Sequence, residues 1–578
     1  MTLRSRTYVV AVLLLFHAVT AAPAAETPSF TPYEFESAGG ETVAAERGVV
    51  TVPETRSRPD GKQLELAFVR FPSTAAEPGH PIVYLAGGPG GSGIATARFG
   101  RFPLFMALRA YGDVIAFDQR GTGDSEADLS CAETYLVPFE RALDRATLAT
   151  ASSDAARRCF EGLRRAGHDP SAYNTVESAA DLMALRRVLG ADKLVLWGIS
   201  YGSHLALATL KLHGEHVDRA VLAGVEPLHH SWKLPSDQQA LLEEISRLAA
   251  ASPATRDVVP DLLGSIEKLL TRLEEEPVTV ELQHPLTGVT MRVGVGKLDL
   301  QIALAGMLRG PAEFAALPDS VARMERGDWT GLALASAGQR MSRVSDGMAI
   351  AMDCASGQSR AWAERIEAEA ASTLLGDAIN LPFPAICEGT GVADLGDAFR
   401  SPVVSDVPAL LISGTLDGRT PPANAEEVLP GLSRARHLVI EGAGHGDLFQ
   451  SSPAILETIE AFVAGRPLPH ERIRLAPVEL IAPRRLAAVP DEVLERYVGE
   501  YRIDPDQSRR VVRAGSQLYT IRGDGPPFAI RPSSETEFFY EGSATWLRFE
   551  LDEEGAAVAM VVHHDGAEEG ERAVRRVD

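Results

Sequence analysis

The apolar positions change spacing along this chain, and each spacing predicts a different kind of element. Between Gln63 and Asp118, mainly apolar runs at Leu64 to Phe71, Ile82 to Leu85 and Val114 to Phe117 are interrupted by the glycine-rich turn Gly87 to Gly93 and a helical stretch. Short apolar runs bounded by turn residues predict buried strands. Thr175 to Leu189 then sets Leu182, Leu185, Val188 and Leu189 on one helical face and stops at Gly190. The run Leu194 to Trp197 predicts another buried strand, followed by a helix from Tyr201 and a strand at Ala220 to Ala223. Strands alternating with helices require a parallel sheet covered on both faces.

From Leu228 to about Val404 the spacing becomes helical throughout. Leu241, Leu242, Ile245 and Leu248 form one stripe, and Leu262, Leu263, Ile266, Leu269, Leu270 and Leu273 form another. The strand pattern resumes at Ala409 to Ile412 and His437 to Ile440, with a closing helix at Ala454 to Val463. After a stretch punctuated by Pro467, Pro469, Pro477, Pro483 and Pro490, the period falls to two, as where Leu547, Phe549 and Leu551 alternate with Arg548 and Glu550. The pattern therefore predicts an α/β core in two parts, 26–227 and 405–466, interrupted by a helical cap at 228–404. A proline-rich linker, 467–490, leads to a small antiparallel β domain, 491–578.

Residues 1–25 stand apart from that fold. Arg4 and Arg6 precede the apolar run Tyr8 to Phe16, and Ala21 to Ala25 are small residues before Glu26. That order is the layout of a secretory signal, and the apolar run is too short to span a bilayer. The expectation is a secreted or periplasmic protein with no membrane span after cleavage. Export gives the four cysteines, Cys131, Cys159, Cys354 and Cys387, the meaning of disulfides. Three connectivities are open, and closeness along the chain favours Cys131 with Cys159 and Cys354 with Cys387. The formal charge of -23 argues against a duplex nucleic-acid partner, whose binding rests on neutralised phosphates.

The sharpest local chemistry is Gly198-Ile199-Ser200-Tyr201-Gly202, directly after a buried strand and before a helix. In a nucleophile elbow the turn is too tight for side chains two positions either side of the serine, which glycine supplies. A serine nucleophile needs a base, and the base needs an orienting carboxylate. Asp417 follows the strand Ala409 to Ile412, and His445 follows His437 to Ile440, giving the order Ser, Asp, His at strand ends. His204, His229 and His230 compete as bases, and Glu226 as the acid. The sequence holds no H-E-x-x-H, so neither a metal nor another cofactor is expected. Gly88-x-Gly90-x-x-Gly93 also fits a dinucleotide fingerprint, with Asp118 placed as its ribose acid. Pro89 removes an N–H that a phosphate would need. The loop is therefore read as lending the Gly88 N–H, with that of Tyr201, to an oxyanion hole.

Gly87-Gly88-Pro89-Gly90-Gly91, the run Asp118-Gln119-Arg120-Gly121-Thr122-Gly123-Asp124-Ser125, the elbow, and the Asp417 and His445 segments together resemble the proline-iminopeptidase and tripeptidyl-aminopeptidase group of α/β-hydrolases. The resemblance spans about residues 40 to 465 and includes the placing of both cysteine pairs. It departs at Ala86, where the group often has His, and after Cys387, where Glu388-Gly389-Thr390 replaces a Trp-Pro region. What the resemblance implies is an α/β-hydrolase fold and removal of amino acids or short peptides from free N-termini through an acyl-enzyme. Short peptides are then the expected partners. Burying a substrate ammonium calls for acidic groups, for which Glu226, Asp353 and Glu388 are the candidates. A carboxylesterase with the same three residues, and an inactive hydrolase-like binding protein, are the alternatives. Asp118, Arg120 and Asp124 are expected to brace the loop they stand in.

Overall fold

The computed structural model describes residues 30–576, apart from 285, 345, 451, 505–506 and 565–566. The signal-like segment 1–25 lies outside the described residues.

Ten strands make the main sheet. In chain order they begin β1 (Thr31–Glu36), β2 (Thr42–Pro53), β3 (Gln63–Phe71), β4 (Ile82–Leu85), β5 (Val114–Phe117), β6 (Leu194–Ile199) and β7 (Val217–Ala223). The cap contributes a separate hairpin, β8 (Val278–Gln283) and β9 (Thr290–Val295), and the sheet ends with β10 (Ala409–Gly414), β11 (Ala435–Glu441) and β12 (Arg472–Arg474). Their spatial order is β1-β2-β3-β5-β4-β6-β7-β10-β11-β12. The first three strands pair antiparallel, and every neighbour from β5 through β12 is parallel. Alternation along β4 and β6 divides the core: Val83, Leu85 and Leu196 face one side, while Tyr84 and Trp197 face the other. On that second face Tyr84 and Phe105 both meet Trp197 at 4.7 Å between ring centroids.

Three features depart from the apolar pattern. An antiparallel pair, β1 and β2, precedes the first expected strand. The cap is helical but carries the β8–β9 hairpin, whose Val278, Val280 and Leu282 alternate with Thr279 and Glu281. The stretch 467–490 does more than link: it supplies β12, and Val478 and Leu480 pack into the cap's core.

Two buried arginines tie parts together. The Arg120 side chain donates to Asp181 at 2.7 and 2.8 Å and to the carbonyls of Glu54 and Ala172, fixing the loop after β5 to the helix Thr175–Val188. Asp118 accepts from Ser92 Oγ, the Ile94 N–H and the Asp124 N–H, so the loop after β4 and the loop after β5 share one anchor. In the cap, Arg340 meets Asp299 at 2.7 Å and also donates to the carbonyl of Gly294 in β9.

The C-terminal β domain is a closed antiparallel barrel of eight strands, from Gly499–Arg502 to Glu571–Arg575. Closure leaves no open edge. Tyr497, Tyr501, Phe538, Leu547 and Phe549 fill it, with Tyr497 stacked on Phe549 at 4.2 Å. It rests against the cap through Arg323 to Glu541 at 2.7 Å and Arg531 to Asp328 at 3.7 Å.

Candidate functional site

Ser200 directly follows β6 with φ 56° and ψ -126°, and among the described residues it alone, apart from glycines, has a positive φ. Such strain in a residue with a side chain persists only where its surroundings dictate it. Here they do: a Cβ on Gly198 would strike the Gly202 carbonyl, and one on Gly202 would strike the Leu85 carbonyl. The Ser200 N–H donates to the Ala223 carbonyl at 3.0 Å, locking the turn to β7. Ser203 Oγ donates to the carbonyls of Ser200 and Gly224 and accepts the Glu226 N–H at 2.9 Å. The serine turn and the loop after β7 thus move as one piece.

The helix Tyr201–His213 starts immediately after Ser200, so its first N–H groups have no intrahelical partner and its positive dipole end lies at the serine. Opposite runs the loop Gly87 to Gly93. A Cβ on Gly87 would come within 3.0 Å of Ser200 Cβ, which measures how closely that backbone passes the serine. Gly88 lines the same cavity. Asp118 is occupied in bracing this loop, which argues against the ribose-acid reading.

Asp417 and His445 come from the loops after β10 and β11, and His445 Nδ1 lies 2.8 Å from Asp417 Oδ2. Asp417 is buried, and its other oxygen accepts the N–H groups of Arg419 and Thr420 at 2.7 and 2.9 Å. The Thr420 hydroxyl donates to Asp417 Oδ2 at 2.8 Å and stands 3.1 Å from His445 Nδ1. Gly224, at φ 54°, passes close to the imidazole, where a Cβ would sit 3.1 Å from His445 Cε1. The cap completes the setting, because the His445 N–H donates to the Arg309 carbonyl at 3.1 Å.

Ser200 and His445 open on one cavity of about 620 Å³ between core and cap. Glu226 and Asp353 line it too. Glu226 is buried and takes the Lys233 ammonium at 2.6 Å. Lys233 is held in place by Asn380, which accepts its N–H at 2.7 Å and donates to its carbonyl at 2.8 Å. Burial, followed by the charge of Glu226, pushes the Asp353 carboxyl well above the usual carboxylate range. Glu388 does not join them. It is exposed on the short helix Ala385–Thr390, outside the cavity lining, and only its neighbour Cys387 turns inward to the helix that bears Asp353.

The competing histidines are elsewhere engaged. His204 is buried and stacked on Tyr201, and burial pulls its imidazole down to about 4, so it is neutral at ordinary pH. His229 and His230 each meet one oxygen of Glu427, at 2.8 and 3.0 Å. These three groups are near enough to share a metal ion, but the carboxylate already has an imidazole on each oxygen. Glu226 bonds Lys233 and, among the described residues, has no hydrogen bond or ion pair with His445. Sequence reasoning missed Lys233, Arg309, Arg419 and Thr420. The last two were within reach, since they follow Asp417 by two and three residues.

The disulfides pair Cys131 with Cys159 and Cys354 with Cys387. The second joins the helix Gly347–Ser356, which carries Asp353, to the helix Ala385–Thr390. Replacing Cys354 and Cys387 by Ser is expected to cost about 3 kcal/mol of stability, read from urea unfolding under oxidising conditions.

Two family models match the chain: that for the α/β-hydrolase fold over residues 80–258, and that for TAP-like proteins over residues 376–473. The chain has the α/β-hydrolase fold. The chain is 35% identical over 198 residues to a tripeptidyl aminopeptidase of Streptomyces lividans, covering 31% of this chain and 35% of that one. It thus spans about a third of the length of that relative. With the serine protease Hip1 of Mycobacterium tuberculosis it shares 27% identity over 456 residues, 73% of this chain and 85% of the relative. The solved structure of a proline iminopeptidase-related protein from Thermus thermophilus is 18% identical and covers 73% of this chain and 99% of its own, with a TM-score of 0.32. No helix among the described residues is long and apolar enough to cross a membrane.

Proposed function

We propose that this α/β-hydrolase is an exported serine peptidase that releases amino acids or short peptides from free N-termini. The observation that carries the reading is one cavity shared by the strained Ser200, by His445 with Asp417 bonded behind it, and by Glu226 and Asp353. Ser200 Oγ attacks the peptide carbonyl while its proton passes to His445 Nε2, and the new C–O bond leaves a negative oxygen. The N–H groups of Gly88 and Tyr201 receive that oxygen. His445 returns the proton to the leaving nitrogen as the C–N bond breaks. Water then attacks the acyl ester, giving its proton to His445, and Ser200 is regenerated. Asp417 holds the imidazole in the tautomer that keeps Nε2 free to accept, with Thr420 and two backbone N–H groups fixing the carboxylate.

Specificity for a free N-terminus follows from charge. A substrate ammonium entering beside Glu226 adds a positive charge to a group that already holds Lys233, and the Asp353 carboxyl is the group available to offset it by ionising. Export is supported by the signal-like segment and by two disulfides. The ester reading has one observation in its favour, since Lys233 already neutralises Glu226. Tripeptidyl and aminoacyl chromogenic amides with free and with acetylated N-termini, assayed beside simple esters, separate the two. The peptidase reading expects free amines to be cleaved at least about tenfold faster in kcat/KM, the worth of one charge-assisted contact. Equal rates on free and acetylated peptides, or turnover confined to esters, would exclude it.

A further inference from the structure

The aminopeptidase reading uses Glu226 and Asp353; the same cavity also holds arginines, with Glu313 and Asp447 in its lining. Arg309 and Arg419 both line the cavity with Ser200 and His445. Each is fixed by backbone to the reacting groups. The Arg309 carbonyl accepts the His445 N–H at 3.1 Å, and the Arg419 N–H donates to Asp417 at 2.7 Å. Their guanidinium groups are poorly matched by acids. Among the described residues Arg309 has one ion pair, with Glu313 at 4.0 Å, between two exposed side chains. Among the described residues the Arg419 guanidinium has no hydrogen-bond or ion-pair partner. Burial, then the charge of Arg309, lowers the Arg419 pKa, and the charges of Asp417 and Glu313 do not make up the difference. Asp447 lines the cavity as well, where it accepts the Gly444 N–H at 2.8 Å. Arg101, the third cavity arginine, is committed to the Tyr84 hydroxyl.

Reaction chemistry decides what meets these charges. His445 must pass a proton to the leaving nitrogen, so the leaving part of the substrate lies on the side of His445. The acyl part, with its ammonium, then lies toward Glu226 and Asp353. In a peptide of only a few residues, the leaving part ends in a carboxylate. A guanidinium is the side chain best suited to receive one, because its planar donors match two oxygens at once.

We propose that Arg309 and Arg419 form a subsite for the C-terminal carboxylate of the leaving peptide, so that the enzyme selects short peptides free at both ends. This rests on reading the site as a peptidase, and it is separable from the N-terminal preference. The test uses tetra- to hexapeptides with free amines, each ending in a carboxylate or a carboxamide. Wild type is expected to cleave the acids at least about tenfold better in kcat/KM than the amides, the worth of one charged contact. That ratio is expected to fall toward one in Arg309→Gln and Arg419→Gln, and to survive in part in Arg309→Lys and Arg419→Lys. Calorimetric binding of the same uncleaved peptides to Ser200→Ala is expected to show the same preference without turnover.

A wild-type ratio near one would overturn the subsite, and needs no variant to fold. So would an acid preference that persists in the Arg309→Gln, Arg419→Gln double variant, or equal or absent binding of acid and amide to Ser200→Ala. Should acetylated and free N-termini react alike, the aminopeptidase reading falls, while the acid-to-amide ratio still decides the arginines.

Discussion

Ser200→Ala is expected to lower kcat/KM on the preferred free-amine peptide by about 10⁴-fold or more, the loss typical when a nucleophile is removed from a serine, histidine and aspartate set acting together. The residual rate is expected to come from binding and from the proposed oxyanion donors. Backbone geometry favours a clean experiment. The contacts that fix the turn come from the serine's main chain: its N–H to the Ala223 carbonyl, and its carbonyl to Ser203 and His204. The variant should therefore unfold at the same urea concentration as wild type and still bind peptide. His445→Ala should fall in a similar range, and combining the two should cost little more, because residues acting as a unit are not additive. Hydrolysis persisting near the wild-type rate in Ser200→Ala would remove this site from the chemistry altogether.

Glu226→Gln is expected to reduce kcat/KM on free-amine peptides by about 100-fold while changing acetylated peptides far less, the penalty for leaving a buried charge without its partner. Two effects combine there. The ammonium loses an acceptor, and Lys233, released from its 2.6 Å contact, becomes a repelling neighbour. The acidity of Asp353 adds a pH signature. Its pKa is raised by burial and by Glu226, so the carboxyl is protonated below that raised value and charged above it. The ammonium-binding form is the charged one. kcat/KM on free-amine peptides should therefore rise with pH through a limb that acetylated peptides lack, and Asp353→Asn should erase that limb. The same limb on both substrate types would assign it to another group.

Part of this site is legible in the amino-acid sequence alone. Gly198 and Gly202 answer a steric demand confined to five residues, so the elbow can be seen locally. Asp417 and His445 each follow a short apolar run bounded by turn residues, the pattern of a strand. Their meeting is expected from chain order, and the 2.8 Å contact is the outcome of β10 lying beside β11. The β8–β9 hairpin shows the opposite. Its alternation is present in Val278, Val280 and Leu282, but the long leucine stripes on either side dominate the reading of the cap.

The acidic candidates mark the boundary most clearly. Glu226 follows β7 and Asp353 sits one residue from Cys354, and both reach the cavity; Glu388, one residue from Cys387, points to solvent. Nothing in composition or spacing separates the last two, because the disulfide fixes where two helices meet without fixing which side of each its neighbour occupies. Helix phase and the packing of Trp232, Trp362 and Phe383 around the cap's edge settle that.

By itself the sequence determined the α/β core split by a cap, the trailing β domain, the serine turn and the likeness to a peptidase group, since these depend on local sterics and on runs of apolar residues. Tertiary structure alone decided that Glu226 would bind Lys233, that Asp353 would be pressed toward neutrality, and that Arg309 and Arg419 would stand beside His445 and Asp417. Charges acquire their chemistry from neighbours in space and from the depth at which they are held. For Asp353 and Arg309 those neighbours lie far away along the chain, where no reading of local pattern reaches them.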